Sequence, residues 1–342
     1  MKYYRGEELG PYNTLGLQAR AHARVTVENE GALVAALKWA RERSLPVIPL
    51  GDGSNIVLAG DLDALVILQR MHGIEVVATS ADKVSLRVAA GENWHALVRW
   101  TLQQGYYGLE NLALIPGTVG AAPLQNIGAY GVELQSSLLR VHARQIADGK
   151  SIELDNAACE FGYRDSVYKR SLRDQVVITA IDLELGLHPG VNITYPAIAD
   201  YFSQRGIVAP TPQEVFDAVV AIRRSKLPDP LIDPNAGSFF KNPILRIDEA
   251  EALGLNFPAL PAYPQADGRV KVSAGWMIDQ CGWKGFRKES LGVHPEHALV
   301  LVNYGNESGP QLLSLAGEIV SSVQHTFGIQ LEIEPRVYGL AV

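Results

Sequence analysis

The sequence predicts an α+β protein with more than one domain. Three observations support this. A chain of 342 residues can form two or three cores, and 47% apolar with 20% charged residues is an ordinary globular balance. Helical and strand periodicities both occur, but not in strict strand–helix alternation. Two capping sequences, Thr211-Pro212-Gln213-Glu214 and Ser308-Gly309-Pro310-Gln311, open striped helices in the later part of the chain.

Taken in order, residues 31–44 (GALVAALKWARERS) place Leu33, Ala36, Leu37 and Ala40 at helical spacing. LPVIPLGDGSNIVLAG follows and reads as strand, glycine turn, strand. DALVIL and KVSLRVAAG read as further strands, the latter alternating Val84, Leu86 and Val88. Residues 93–104 predict a helix with Trp94, Leu97, Val98 and Thr101 inside and Gly105 as its stop. A glycine-dense stretch, ENLALIPGTVGAAPLQNIGAYGVEL, covers 110–134. Short strands, among them LLRVHARQI and QVVITAIDLEL, then run to about residue 187, and GLHPG at 186–190 closes that section. VNITYPAIADYFSQRG reads as looser chain. A domain boundary falls just before the helix opened by Thr211, which buries Val215, Val219 and Ile222. The helix opened by Ser308 carries Leu312, Leu313, Ala316, Ile319, Val320 and Val323 inside. Gly328 ends it, and IQLEIEPRVYG reads as a last strand.

The formal charge of −7 argues against broad binding to nucleic acid or anionic membrane, which need a basic field. Any anionic ligand has to be held by a local cluster of cations. Cys159 and Cys281 form neither a disulfide framework nor a metal pattern, and both read as small buried hydrophobes. No metal site is expected. The N-terminus lacks a signal-peptide run, and runs such as HALVLVN are too short to span a bilayer, so a cytoplasmic protein is expected.

Two glycine loops point to a ligand. GDGSN at 51–55 follows a strand, as a dinucleotide fingerprint should. It lacks the third glycine, a following helix and the acidic ribose partner, so a Rossmann reading fails. A plain hairpin turn is the bland alternative, although such glycines still leave backbone N–H groups open to a pyrophosphate. IPGTVGAAPLQNIGAYG strengthens the ligand reading. Its glycines and paired alanines let something flat approach the backbone, and Ile115, Val119, Leu124, Ile127 and Tyr130 supply walls. Two such loops suggest a large cofactor with a pyrophosphate and an extended ring.

Four stretches are candidates for chemistry. NAGSFFKNP sets Ser238 after the flexible pair Ala236-Gly237 and before two phenylalanines. FGYRDSVYK holds Arg164 beside Phe161 and Tyr163; it either pairs with Asp165 at the surface or is desolvated and aimed at a carboxylate. AIRRSKLPDP brings Arg223, Arg224 and Lys226 to a helix end, where the dipole alone favours cations and where phosphate also binds. LEIEPRV sets Glu332 and Glu334 on one face, and spacing does not choose between them. The eight histidines show no metalloprotease pattern and no triad.

Together these motifs resemble the UDP-N-acetylenolpyruvoylglucosamine reductase family nearly end to end. PLGDGSNIVL, GENWHALV, GLENLALIPGTVGAAPLQNIGAYGVEL, FGYRDS, KLPDP, NAGSFFKNP, YPQADG, AGWMIDQCGWKG and HALVLVN occur in order. Tyr195 in ITYP resembles the subclass with an extra tyrosine-bearing loop over the substrate. The resemblance implies an FAD-binding module of the vanillyl-alcohol-oxidase type, in two α+β subdomains, with a third, substrate-binding α+β domain. The expected limits are 1–69 together with the strand 329–342, then 70–209, then 210–328.

The resemblance also implies non-covalent FAD and NADPH as co-substrate. NADPH reduces the flavin, and UDP-N-acetylglucosamine enolpyruvate then accepts a hydride at its vinyl carbon to give UDP-N-acetylmuramate for peptidoglycan. The implied cofactor contacts are Gly51, Gly53, Ser54, Asn55, Ile115, Gly117, Ala121, Ala122, Pro123, Asn126, Gly128, Tyr130 and Arg223. Ser238 would donate the proton. Arg164 would supply positive charge at the substrate carboxylate, with Glu334 beside it in protonated or hydrogen-bonded form. Tyr195, Lys226, Asn242, Tyr263 and His297 would hold the UDP-sugar. A monomer is expected.

The match has departures. The last motif is commonly L-E-P-E-V in this family, so Pro335 is displaced to just after Glu334. Some members have serines at Ala121 and Ala122, and glutamine at His297. Two other readings compete. An oxidase of the same superfamily is disfavoured by the set Ser238, Arg164 and Glu334, and the cofactor loops hold no His or Cys for covalent flavin. A non-catalytic flavin or sugar-nucleotide sensor would not need a proton donor.

Overall fold

The structure, a computed structural model, describes residues 2–265, 267–305 and 307–340. Ala266 of the YPQADG motif, and the extreme ends of the predicted first and last segments at 1 and 341–342, lie outside these. The chain divides into two compact units. The first contains Met1–Glu7, Ala21–Asp52 and Asp63–Ser225, and the second contains Glu8–Arg20, Gly53–Leu62 and Lys226–Val342.

The first unit has two large sheets and the short hairpin of Gly128–Ala129 with Val132–Glu133. One has the order Tyr4–Glu8, Arg20–Val27, Leu62–Gln69, Val47–Leu50. Its last pair is parallel, with Leu50 opposite Leu68. The helix Glu30–Arg41 covers it with the expected Leu33, Ala36, Leu37 and Ala40, and the Asn29 side chain caps it by accepting from Ala32 N–H at 2.9 Å. The other sheet is antiparallel, with the order Ser151–Asp155, Leu138–Gln145, Val176–Gly186, Lys83–Ala89, Ile74–Thr79. Val84, Leu86 and Val88 face its core, as their alternation predicts.

The expected limits 69/70 and 209/210 both lie within this compact unit, and packing runs across each. Val177 of the antiparallel sheet lies in the same core as the helix Glu30–Arg41. The helix Pro212–Lys226 sends Val215, Phe216, Ala218, Val219 and Ile222 into the core of the antiparallel sheet, beside Trp94, Leu97 and Val98 of the helix Trp94–Gln103. The stretch expected to be loose chain contains the helix Pro196–Ser203, anchored by Ile198 and Phe202 four residues apart.

The second unit has one sheet in the order Asn235–Ser238, Val300–Asn303, Leu291–Val293, Arg287–Lys288, and a small one made of Ile244–Leu245, Val270–Val272 and Ala262–Pro264. Its long helix, Gly309–Phe327, ends as predicted on left-handed Gly328 at φ 72°. Leu312, Ala316, Ile319 and Val323 are buried, but Leu315 takes the place expected for Leu313, and Val320 is only half-buried. The predicted last strand is shorter. Arg336–Tyr338 pairs in parallel with Ile56–Leu58, while 332–334 lies alongside 239–241. Pro335, which lacks an N–H, separates the two pairings. Cys159 is buried as expected; Cys281 is partly exposed. Among the described residues no helix is long and apolar enough to cross a membrane.

Replacing the cap with Asn29→Ala should lower stability by about 1 kcal/mol. Urea unfolding followed by tryptophan emission should show an earlier midpoint with an unchanged slope. An unshifted midpoint would mean that the helix start is held by packing alone.

Candidate active site

In the first unit the two glycine loops meet. A methyl group at Gly51 would run into the Thr118 side chain, so only glycine permits this approach. Arg70 braces the turn by donating to the Gly51 carbonyl at 3.2 Å, and it lies 3.6 Å from the Asp52 carboxylate. The second loop is laced to 90–94. Gly120 N–H donates to Ala90 O at 2.9 Å, Val119 N–H to Glu92 O at 2.9 Å, and Trp94 N–H to Gly117 O at 3.0 Å. The buried Trp94 indole adds a bond to Leu112 O at 3.0 Å. The backbone around Ile115 and Gly117 is thereby fixed before any ligand arrives. Ala121, Ala122 and Pro123 follow on the tight turn Val119–Gln125.

Asn126 closes that turn in the left-handed region at φ 45° and is fully buried. Its amide donates to Glu133 at 2.9 Å and to Gly162 O at 3.3 Å, and its oxygen accepts from Gln135 N–H at 3.0 Å. This side chain is therefore engaged with the fold, tying the second glycine loop to the neighbouring hairpin and to the turn that carries Arg164.

That turn joins Gly162 and Asp165 through both backbone hydrogen bonds. Arg164 holds φ 52° in it, a conformation that turns usually assign to Gly or Asn. Its Nη2 donates to the Gly128 carbonyl at 3.1 Å, and Tyr163 lies under the guanidinium at 5.9 Å. The surface pairing with Asp165 does not form, because Asp165 pairs with Arg170.

Arg223 provides an electrostatic signal beside this turn. The residue is half-buried, yet its Nε is inaccessible and has no hydrogen-bond partner. Burial holds its pKa below the usual arginine value; Tyr130 offsets this and Arg164 adds to it. A buried cation left unpaired is costly, and this one suits an anionic or strongly polar ligand. The Tyr130 phenol is raised by burial, lowered by Arg223 and raised by Tyr195. The Tyr195 and Tyr130 rings meet edge-to-face at 5.3 Å, and Tyr195 is 43% exposed, open to a ligand. Thus Arg164, Arg223, Tyr130 and Tyr195 gather beside loops of small residues, which suits an extended ring with phosphates.

In the second unit Gly53 is left-handed at φ 62°, and any side chain on it would strike the Tyr12 carbonyl. Asn55 O accepts from Arg336 N–H at 3.0 Å, so the Gly53-Ser54-Asn55 turn is tied to the C-terminal segment. Ser238 ends the strand Asn235–Ser238 opposite Val300. Gly237, at φ 70°, bulges the strand, and its N–H is held by the Asn235 side chain at 2.8 Å. Phe239 and Phe240 are fully buried, with their rings 5.5 Å apart, and anchor the segment. Glu334 N–H donates to Phe239 O at 2.9 Å, and Lys241 N–H to Glu332 O at 2.9 Å. Phe239, which follows Ser238, is therefore opposite Glu334 on facing segments. Glu332 is exposed and paired with Lys241, which distinguishes the two glutamates.

The remaining candidates are scattered over this unit. Asn242 accepts from Ala274 N–H at 3.0 Å, holding the start of the helix Ala274–Gln280. His297 accepts from Leu299 N–H at 3.3 Å. Lys226 and Tyr263 are exposed, and Lys271 lies 5.9 Å over the Tyr263 ring. Sequence reasoning missed Arg70 and Thr118. The signal for Arg70 was the parallel pairing of Val47–Leu50 with Leu62–Gln69, which sets the two strand ends side by side.

Known families match both parts of the chain. Residues 21–155 match an FAD binding domain, and 229–338 match the C-terminal domain of UDP-N-acetylenolpyruvoylglucosamine reductase. The chain is 48% identical to the Paraburkholderia phymatum UDP-N-acetylenolpyruvoylglucosamine reductase, over 96% of this chain and 95% of that protein. It is 47% identical to the Pseudomonas aeruginosa reductase, over 96% and 97%. The chain belongs to the UDP-N-acetylenolpyruvoylglucosamine reductase family. The crystal structure of the Thermus caldophilus reductase superposes with a TM-score of 0.66 at 25% identity, covering 99% of this chain and 98% of that one. The FAD-binding module of the vanillyl-alcohol-oxidase type, expected from the motifs, is the fold of this family member.

Gly51→Ala should weaken FAD binding by roughly tenfold or more, and adding Thr118→Ala should recover part of the loss. Flavin fluorescence titration measures both. Unchanged affinity in Gly51→Ala would remove this turn from the cofactor site.

Proposed function

We propose that the chain uses NADPH to reduce the enolpyruvyl group of UDP-N-acetylglucosamine enolpyruvate, giving UDP-N-acetylmuramate for peptidoglycan synthesis. What supports this reading is the family membership, together with the pairing of 239–241 with 332–334, which brings the chain just after Ser238 alongside the chain that carries Glu334. A cofactor-binding sensor has no use for such a hydroxyl.

FAD, when bound, would supply the two-electron hydride chemistry that links NADPH to the vinyl carbon of the substrate. The remaining work falls to side chains. Gly51, Gly53, Ser54 and Asn55, with Ile115, Gly117, Ala121, Ala122, Pro123 and Gly128, offer the cofactor backbone N–H groups and small surfaces. Asn126 keeps that loop in shape, and Tyr130 and Arg223 meet the polar part of the cofactor. Arg164 neutralises charge that develops on the substrate carboxylate. Glu334 hydrogen-bonds at the same group, and Ser238 gives its proton to the adjacent carbon. Tyr195, Lys226, Asn242, Tyr263 and His297 hold the UDP-sugar. The reading includes a cytoplasmic monomer with no nucleic-acid partner. It also retains a three-part division of labour, with two cofactor-binding subdomains and a substrate-binding one.

Ser238→Ala should still be reduced by NADPH at the wild-type rate. Its reoxidation by the enolpyruvyl sugar should slow by about 10²–10⁴-fold, the usual range for a lost general acid. Anaerobic stopped-flow absorbance separates the two half-reactions. Rapid reoxidation by the sugar would take the proton donor role away from Ser238. Reoxidation by air alone, in the wild type, would favour an oxidase.

A further inference from the structure

We propose that His95 is a positioning residue whose neutral ring holds the flavin loop in its binding shape. This rests on the reading above that the 115–123 loop receives the cofactor. His95 lies in the first turn of the helix Trp94–Gln103, just after the residues that lace that loop. Its Nδ1 accepts the Leu114 N–H at 2.9 Å. Leu114 is left-handed at φ 58°, a conformation that a leucine keeps only when its surroundings impose it. The bond therefore acts at the residue that turns the chain into Ile115, Pro116 and Gly117.

An acceptor Nδ1 requires the proton on Nε2, so this bond exists only for the neutral ring. Two features of the fold keep the ring in place and neutral. The imidazole stacks on Phe216 with centroids 5.4 Å apart and planes 8° apart. Burial lowers its pKa below the usual histidine value, and the charges of Arg99 on its own helix and of Arg224 and Arg223 on the helix Pro212–Lys226 act in the same direction. With the folded pKa below the unfolded value of about 6.5, the ring is neutral in both states above that pH, and its contribution is complete. As pH falls from there through the folded value, the contribution is lost.

The test measures FAD affinity of the apoprotein by fluorescence from pH 8 down to about 5.5. Wild type, His95→Phe and His95→Asn are compared, with ring titration of wild-type His95 by NMR. Phe keeps the stack without the acceptor, and Asn places an oxygen near the Nδ1 position without a titratable ring. We expect wild-type affinity to fall by roughly tenfold with the protonation of His95. His95→Phe should be weak at every pH, and His95→Asn should regain affinity with a flatter profile. Wild-type affinity that does not follow the NMR titration would overturn the proposal even if His95→Phe fails to fold. A His95→Phe variant that binds FAD like wild type would do the same. If Gly51→Ala weakens FAD while all three His95 forms bind alike, only the role of His95 falls; if Gly51→Ala binds normally, the loop reading itself fails.

Discussion

The lacing of the 117–120 backbone to 90–94 is the constraint on which the candidate site depends. A loop this rich in glycine has many conformations, and ordering it upon binding would consume much of the binding energy. Three inter-segment backbone bonds and the Trp94 indole impose that order within the fold. Leu114, Asn126, Tyr130 and Arg164 are all held left-handed within or beside this region. Each such residue costs on the order of 1–3 kcal/mol. Their concentration here fits a surface shaped for a ligand rather than for stability alone.

Charge is arranged with similar economy. The protein is acidic overall, at −7, so attraction of an anionic ligand has to be local. Arg223 is the partly buried cation best placed for this, within reach of the charge of Arg164 and of Tyr130. In the second unit the bulge at Gly237 and the two buried phenylalanines fix the backbone on either side of Ser238, and the pairing of 239–241 with 332–334 fixes the backbone of Glu334.

Local signals in the sequence were readable where local physics decides. The helical faces of Glu30–Arg41 and Trp94–Gln103, the stop at Gly328 and the capping box at Thr211 follow from spacing and end chemistry. Which core receives a helix is not a local matter. The helix Pro212–Lys226 starts at a clear boundary signal, yet it packs into the antiparallel sheet before it. Arg164 also illustrates the limit. Its neighbour Asp165 suggests a pair, and only the turn geometry turns Arg164 toward Gly128 and Asp165 toward Arg170. The resemblance implies Glu334 rather than Glu332, and spacing alone does not separate the two; Glu332 is engaged with Lys241.

The most direct test of this account is hydrogen–deuterium exchange of the apoprotein with and without saturating FAD. Slower exchange on binding is expected at 51–55 and at 115–123. The amides already laced to 90–94 should be protected before FAD is added. Fast exchange of the Val119 and Gly120 amides in the apoprotein would contradict a preformed loop, and FAD-induced protection confined to other segments would contradict the placement of the cofactor.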